Sequence, residues 1–219
     1  MLDSKTHNYG NPHIGLFSRA SDKLVTADIS SSPKFLLSLG GLGVPVVKAT
    51  FGGSGLSGIF LAMNSKGAVV SPNCTKDEVA LLKSHGLDVC LAPAQFSAAG
   101  NNIAANDFGA VANPKMPQSS LKRISDCLGV EVVPRGIAGY DTVGSCLLAT
   151  NKGFAAHNRA TGEELKELQS ILGVPGENCT LNTGIPFVAI GAVANSKAAI
   201  FGESSTGFEI GRVSGALCL

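Results

Sequence analysis

Residues 64–86 read NSKGAVVSPNCTKDEVALLKSHG, a complete passage from hairpin turn to helix stop. Asn64-Ser65 is a pair that favours the tight turn of a two-stranded hairpin. Thr75 with Glu78 forms a capping box, in which each side chain satisfies an otherwise orphan backbone N–H at the start of a helix. Val79 and Leu82 then share one helical face, and Gly86 is a suitable stop.

The same passage recurs along the chain. Turn pairs equivalent to Asn64-Ser65 occur at Ser21-Asp22, Asn106-Asp107, Thr150-Asn151 and Asn195-Ser196, at spacings of 43, 42, 44 and 45 residues. Six residues upstream stand Gly15, Gly58, Gly100, Gly144 and Ala189, a small residue expected to open each first hairpin strand. Eleven residues downstream stand Ser32, Thr75, Pro117, Thr161 and Thr206, and Thr161/Glu164 and Thr206/Glu209 repeat the capping box. Apolar pairs follow each cap: Leu36/Leu39, Val79/Leu82, Leu121/Ile124, Leu165/Leu168 and Ile210/Val213. Gly43, Gly86, Gly129 and Gly173 end the first four helices. Third strands are predicted at Val44 to Ala49, Leu87 to Ala92 and Val130 to Pro134. A fourth, around Asn178 to Leu181, follows a loop lengthened by Val174-Pro175-Gly176.

One such unit carries a single short helix and cannot bury its apolar face alone. The expected fold is therefore α/β: a pseudo-fivefold propeller of five ββαβ units in a ring, strands inside and helices outside. The units run over about 11–53, 54–95, 96–139, 140–184 and 185–219 of one domain. The fifth reaches Leu219 just after its helix, without a third strand. Subtracting one period from Val44–Thr50 gives Met1–His7, so residues 1–10 are predicted to pair beside the last unit and close the ring.

Composition narrows the function. Of 219 residues, 15 % are charged, the net charge is +1, and no like-charge block suggests broad nucleic-acid binding. The 27 glycines, two tyrosines and lack of tryptophan fit many tight turns and aliphatic packing. The start of the chain has no apolar leader pattern, and the longest apolar run, Phe187 to Ala194, is too short to span a bilayer, so a cytoplasmic protein is expected. Six cysteines stand singly without a CxxC pair, read as reduced and mostly buried thiols.

No nucleophile, base and orienting group converge in the sequence, and no HExxH or CxxC spacing suggests a metal. No catalytic residue, cofactor or metal is expected. His85 precedes a stop glycine and reads as part of a helix cap, and His157 reads as a surface loop residue. Gly52 to Gly58 (GGSGLSG) lacks the GKS/T ending of a phosphate cradle and reads as a flexible loop between units.

Several stretches in order resemble the translation initiation factor six family: Ser71 through Glu78, Ala99-Gly100-Asn101-Asn102 through Asn106-Asp107, Val143-Gly144-Ser145 leading to Asn151-Lys152-Gly153, and Thr180 through Gly184. The resemblance runs from about Asn11 onward. It implies the pentein fold and a ribosome anti-association factor, without the C-terminal tail of eukaryotic members and so without regulation through it. Such a factor binds the large ribosomal subunit at ribosomal protein fourteen, near the sarcin-ricin loop of the large-subunit RNA, and blocks the small subunit sterically. A role in large-subunit biogenesis is also implied, and a monomer is expected. Gly15 and Gly100-Asn101 match positions on the ribosome-facing end, and the repeat extends these to Gly58, Gly144 and Ser145. Asn101 stands out, because packing at a strand start does not require a polar side chain. The family usually carries bulkier or basic residues where this chain has Gly52 to Ser57. The alternative is a guanidine-modifying hydrolase or amidinotransferase of the same superfamily, which would need insertions between units and a histidine partner for Cys218.

Overall fold

The computed structural model describes residues 5–219. Its strands form five three-stranded sheets. Unit three shows the pattern: a one-turn helix Ala99–Asn102, an antiparallel hairpin of Ile103–Ala105 with Gly109–Ala112, the helix Gln118–Leu128, and the strand Glu131–Pro134. This last strand pairs parallel with the second, Val132 opposite Ala110. The other units follow suit, with main helices Pro33–Gly40, Lys76–Ser84, Gly162–Leu172 and Gly207–Ala216.

The first strands face the axis, and each touches the next in closed order: Ser18–Ala20, Leu61–Met63, Ile103–Ala105, Leu147–Ala149, Ala192–Ala194 and back to Ser18–Ala20. The third strand of the fifth sheet comes from the other end of the chain, where Lys5–Thr6 runs parallel to Ala199–Gly202 with Lys5 opposite Phe201. Glu203 N extends the pairing by donating to Thr6 O at 2.8 Å. Met1 to Ser4 of the expected closing segment lie outside the described residues.

Each hydrophobic cluster straddles a boundary between units. Leu24, Val47 and Phe51 pack with Leu61, Val70 and Leu82, and at the closing junction Ile14, Val25 and Phe35 pack with Val193 and Ile200. Stability therefore comes from neighbours, as repeat architectures require.

The hairpin turns fasten one unit to the next. Asn106, buried, accepts from the N–H groups of Phe108 and Gly109 at 3.0 Å each, which holds its own turn. Its Nδ2 donates to Thr150 O at 3.0 Å and to Leu172 O at 2.8 Å, reaching the next turn and the end of the next helix. Asn64 repeats this toward Asn106 O and Leu128 O, and Asn195 toward Ser21 O and Leu42 O. The lysines two residues on, Lys23, Lys66 and Lys197, donate to Gly86 O, Gly129 O and Gly43 O of the neighbouring helix ends. A cation there complements the negative end of the helix dipole.

Three features of the fold differ from the sequence expectation. Gly15, Gly58, Gly100, Gly144 and Ala189 do not open strands; they lie in single helical turns, Ile14–Leu16, Ser57–Phe60, Ala99–Asn102, Val143–Cys146 and Val188–Gly191, just before the strands. None of these turns has a side-chain cap that would announce it. The fourth unit's third strand is Gly176–Cys179, earlier than expected, because Pro175 O already accepts from Phe154 N and starts the pairing beside Phe154–His157. His157 ends that strand buried at 1 % exposure, its Nδ1 accepting from Arg159 N and its ring packed against Tyr140 and Phe187. His85 stands at the end of its helix, where its N–H donates to Leu82 O and that of Gly86 to Lys83 O.

Candidate functional site

The second strands run away from the hairpin turns, so the opposite end of the ring collects the one-turn helices, the N-termini of the main helices and the loops between units. The one-turn helices touch in a closed cycle. Gly58 lies against Gly15 O, Gly100 against Gly58 O and Leu61 O, Gly144 against Gly100 O and Ile103 O, and Gly15 against Ala189 O. A methyl group on Gly100 would come 2.6 Å from Leu61 O, closer than side-chain carbons approach backbone. All four glycines are buried. They set the spacing of the ring.

Asn101 and Ser145 remain half-buried at this end. Ser145 Oγ donates to Asn101 Oδ1 at 3.1 Å across the boundary between units three and four. The Asn101 Nδ2 donor has no partner among the described residues, which leaves it open to solvent or to a docked surface. Asn101 thus sits in the helical turn Ala99–Asn102 and engages a neighbouring unit as well as the exterior.

Tight loops frame the glycine cycle. Tyr9-Gly10, Gly52-Gly53 and Ala138-Gly139 each place two successive residues at positive φ, and Asn182-Thr183-Gly184 three, in turns closed by the bridges Asn8↔Asn11, Phe51↔Ser54, Ile137↔Tyr140 and Leu181↔Ile185. The junction between units two and three uses the 3-10 turn Ala94–Phe96 instead.

The capping-box glutamates hold three of these loops. Glu78 accepts from Thr75 N at 2.8 Å within its own cap, and also from Gly52 N at 3.0 Å and Thr50 Oγ1 at 2.9 Å. Glu164 accepts from Ala138 N, and Glu209 from Gly184 N at 2.7 Å and Thr183 N at 3.2 Å. Burial pushes these carboxyls up, but the converging N–H and O–H donors win and hold all three below the usual carboxylate range. The Gly52-Gly53 loop, expected to be flexible, is therefore tied to the helix of unit two.

Two features of this end escaped the sequence reading. The chain's only two tyrosines, Tyr9 and Tyr140, both adjoin a loop glycine at this end, and they are 72 % and 37 % exposed. Exposed Ile29 and Phe208 lie there too, after a second strand and at a helix start. A tyrosine beside a turn glycine was the available signal.

Four of the six cysteines have raised thiols, whereas the hydrogen bond with Cys90 holds Cys127 down and Cys218 is exposed. Burial raises the thiols of Cys74 to about 11, Cys146 to about 12 and Cys179 to about 11, so they are protonated at neutral pH. Cys90 is raised by its hydrogen bond with Cys127 and by burial. Among the described residues neither a histidine nor a cysteine lines the axial cavity, and no group of three or more histidines, cysteines and carboxylates could hold a metal. No helix among the described residues is long and apolar enough to cross a membrane.

Residues 3–216 match the eIF-6 family. The chain belongs to that family. Similar proteins include translation initiation factor 6 of Methanosphaerula palustris, 36 % identical over 93 % of this chain and 92 % of that protein. The Archaeoglobus fulgidus factor is 36 % identical over 95 % and 96 % of the two chains, and that of Haloquadratum walsbyi 33 % over 93 % and 91 %. The family is one of non-enzymatic translation factors, and the five sheets fit its pentein-like repeat. The enzyme alternative is thereby set aside.

Proposed function

We propose that the chain binds the large ribosomal subunit through its glycine end and, by occupying that face, sterically prevents premature association with the small subunit. Membership of the eIF-6 family over nearly the whole chain carries this reading. The partner on the subunit is chiefly ribosomal protein fourteen, near the sarcin-ricin loop, and the same binding serves large-subunit maturation in the cytoplasm. Two features support the choice of end. The buried Gly15, Gly58, Gly100 and Gly144 let the backbones of neighbouring units close tightly there. Around them stand Asn101 with an unused amide donor, Ser145, and two exposed tyrosines, a residue type enriched at protein interfaces. The net charge of +1 suits a contact made mainly with protein rather than RNA.

Mutational co-sedimentation tests the assignment. Asn101→Ala removes a partly exposed donor and should weaken binding to isolated large subunits by about 3–10-fold, as expected for one interface hydrogen bond, with little change in thermal stability. Asn64→Ala at the opposite end should lower stability but leave the affinity of the folded protein unchanged. If Asn101→Ala, together with Tyr9→Ala and Tyr140→Ala, bound like the parent, this end would not be the ribosome-facing one.

A further inference from the structure

The axial cavity, about 20 Å³, is lined by the first strands of all five units, largely by alanine and other apolar side chains. One charged group enters it. At the repeat position that carries Ala62, Ala104, Leu148 and Val193 in the other units, unit one carries Arg19. Its Nη2 donates to Gly58 O and, at 3.0 Å, to Gly100 O, both neutral acceptors from the glycine cycle. Its Nε is buried without a hydrogen-bond partner, and among the described residues Arg19 forms no ion pair.

Burial lowers the guanidinium only to about 10, so it stays charged at neutral pH. Arg19 as a whole is partly buried, but its Nε is sealed from solvent, and a charge held away from water without an opposing one is unfavourable. Two carbonyl dipoles compensate in part. Neither Nε nor Nη1 has a hydrogen-bond partner among the described residues, and Arg19 lines a space whose size admits one or two water-sized bodies, which leaves no room for a sulfate or phosphate.

We propose that the axial channel is a binding site for one small monovalent anion of halide size, held by Nε and Nη1 of Arg19. The anion neutralises the one cation that lines the axial cavity among the described residues and links unit one to the backbone that units two and three present there. Binding to the folded ring alone makes it a stabilising ligand.

Bromide and chloride are the probes. Crystals of the full chain grown in sodium bromide should show an anomalous peak within hydrogen-bonding reach of Arg19 Nε or Nη1; density there without anomalous signal means water and overturns the proposal. In solution, chloride should replace gluconate, which is too large for the cavity, at constant ionic strength. The melting temperature should rise by about 3–6 °C at roughly ten times the dissociation constant. Arg19→Met should abolish that response, whereas an equal response in the variant contradicts a specific site. If Arg19→Met does not fold, the bromide experiment on the parent protein decides alone. Bromide seen only at molar concentration, with no chloride response up to about 0.15 M, a physiological ionic strength, also counts against the proposal.

Discussion

Replacing Asn106 separates the two jobs that its side chain performs. Asn106→Leu keeps the approximate size but removes all four hydrogen bonds, to Phe108 N, Gly109 N, Thr150 O and Leu172 O. Gly109 is buried, so its N–H loses its partner without gaining water, at about 1–3 kcal/mol; the two carbonyls cost about 1 kcal/mol each, and Phe108, 57 % exposed, costs little. The sum is about 3–5 kcal/mol, or roughly 6–20 °C in melting temperature for a chain of this size. Unit four supplies the control. Thr150 stands at the equivalent position, and its Oγ1 accepts from Lys152 N and Gly153 N at 3.2 Å each but reaches no neighbouring helix end. Asn106→Thr should therefore keep the turn and lose only the bonds between units, costing about 1–2 kcal/mol. Urea and thermal unfolding followed by circular dichroism suit a protein without tryptophan. If Leu costs under 1 kcal/mol, or Thr costs as much as Leu, the asparagine does not fasten the units as described.

Three further predictions concern the ring and its loops. Glu209 is depressed in the folded state, so its contribution is complete above the unfolded carboxylate value of about 4.3 and is lost as pH falls through the folded value; the melting-temperature gap between parent and Glu209→Gln should narrow on acidification below that point. A constant gap down to pH 2 contradicts the role given to the charge. Deleting residues 1–8 removes the Lys5–Thr6 pairing and the bond from Ser32 N to Asn8 Oδ1, and should lower the melting temperature by roughly 6–12 °C; an unchanged value means the ring does not depend on this strand. Gly100→Ala pushes a methyl into Leu61 O and should cost about 2–3 kcal/mol in denaturant unfolding, whereas Asn101→Ala next to it costs under 1 kcal/mol. Equal costs would show that the glycine cycle is not tightly packed.

The architecture was legible because its signals are local. Turn pairs, capping boxes and i, i+3 apolar pairs each fit within about ten residues and recur in register, so Thr75/Glu78, Thr161/Glu164 and Thr206/Glu209 stand in the structure as capping boxes. What stayed hidden depends on contacts between units. The donors that Glu78 receives from Gly52 lie 26 residues away, and nothing in GGSGLSG announces them. The one-turn helices leave no mark because they are too short for a periodic pattern and lack caps. His157 looked like a loop residue because its burial comes from Tyr140 and Phe187, on either side of it in the chain. At the candidate site, the residues brought together were named from the repeat and the resemblance, but the burial of the glycines and the exposure of both tyrosines required coordinates. The ribosomal partner was never written in periodicity or charge and rests on family likeness.

Subunit joining measured on gradients tests the central claim most directly. Added in excess to purified large subunits before small subunits, the protein should co-sediment with the large particle and suppress the joined-ribosome peak, and Asn101→Ala should need about 3–10 times more protein for the same suppression. A joined-ribosome peak undiminished at saturating protein, whether or not the chain is bound to the large subunit, would contradict the account.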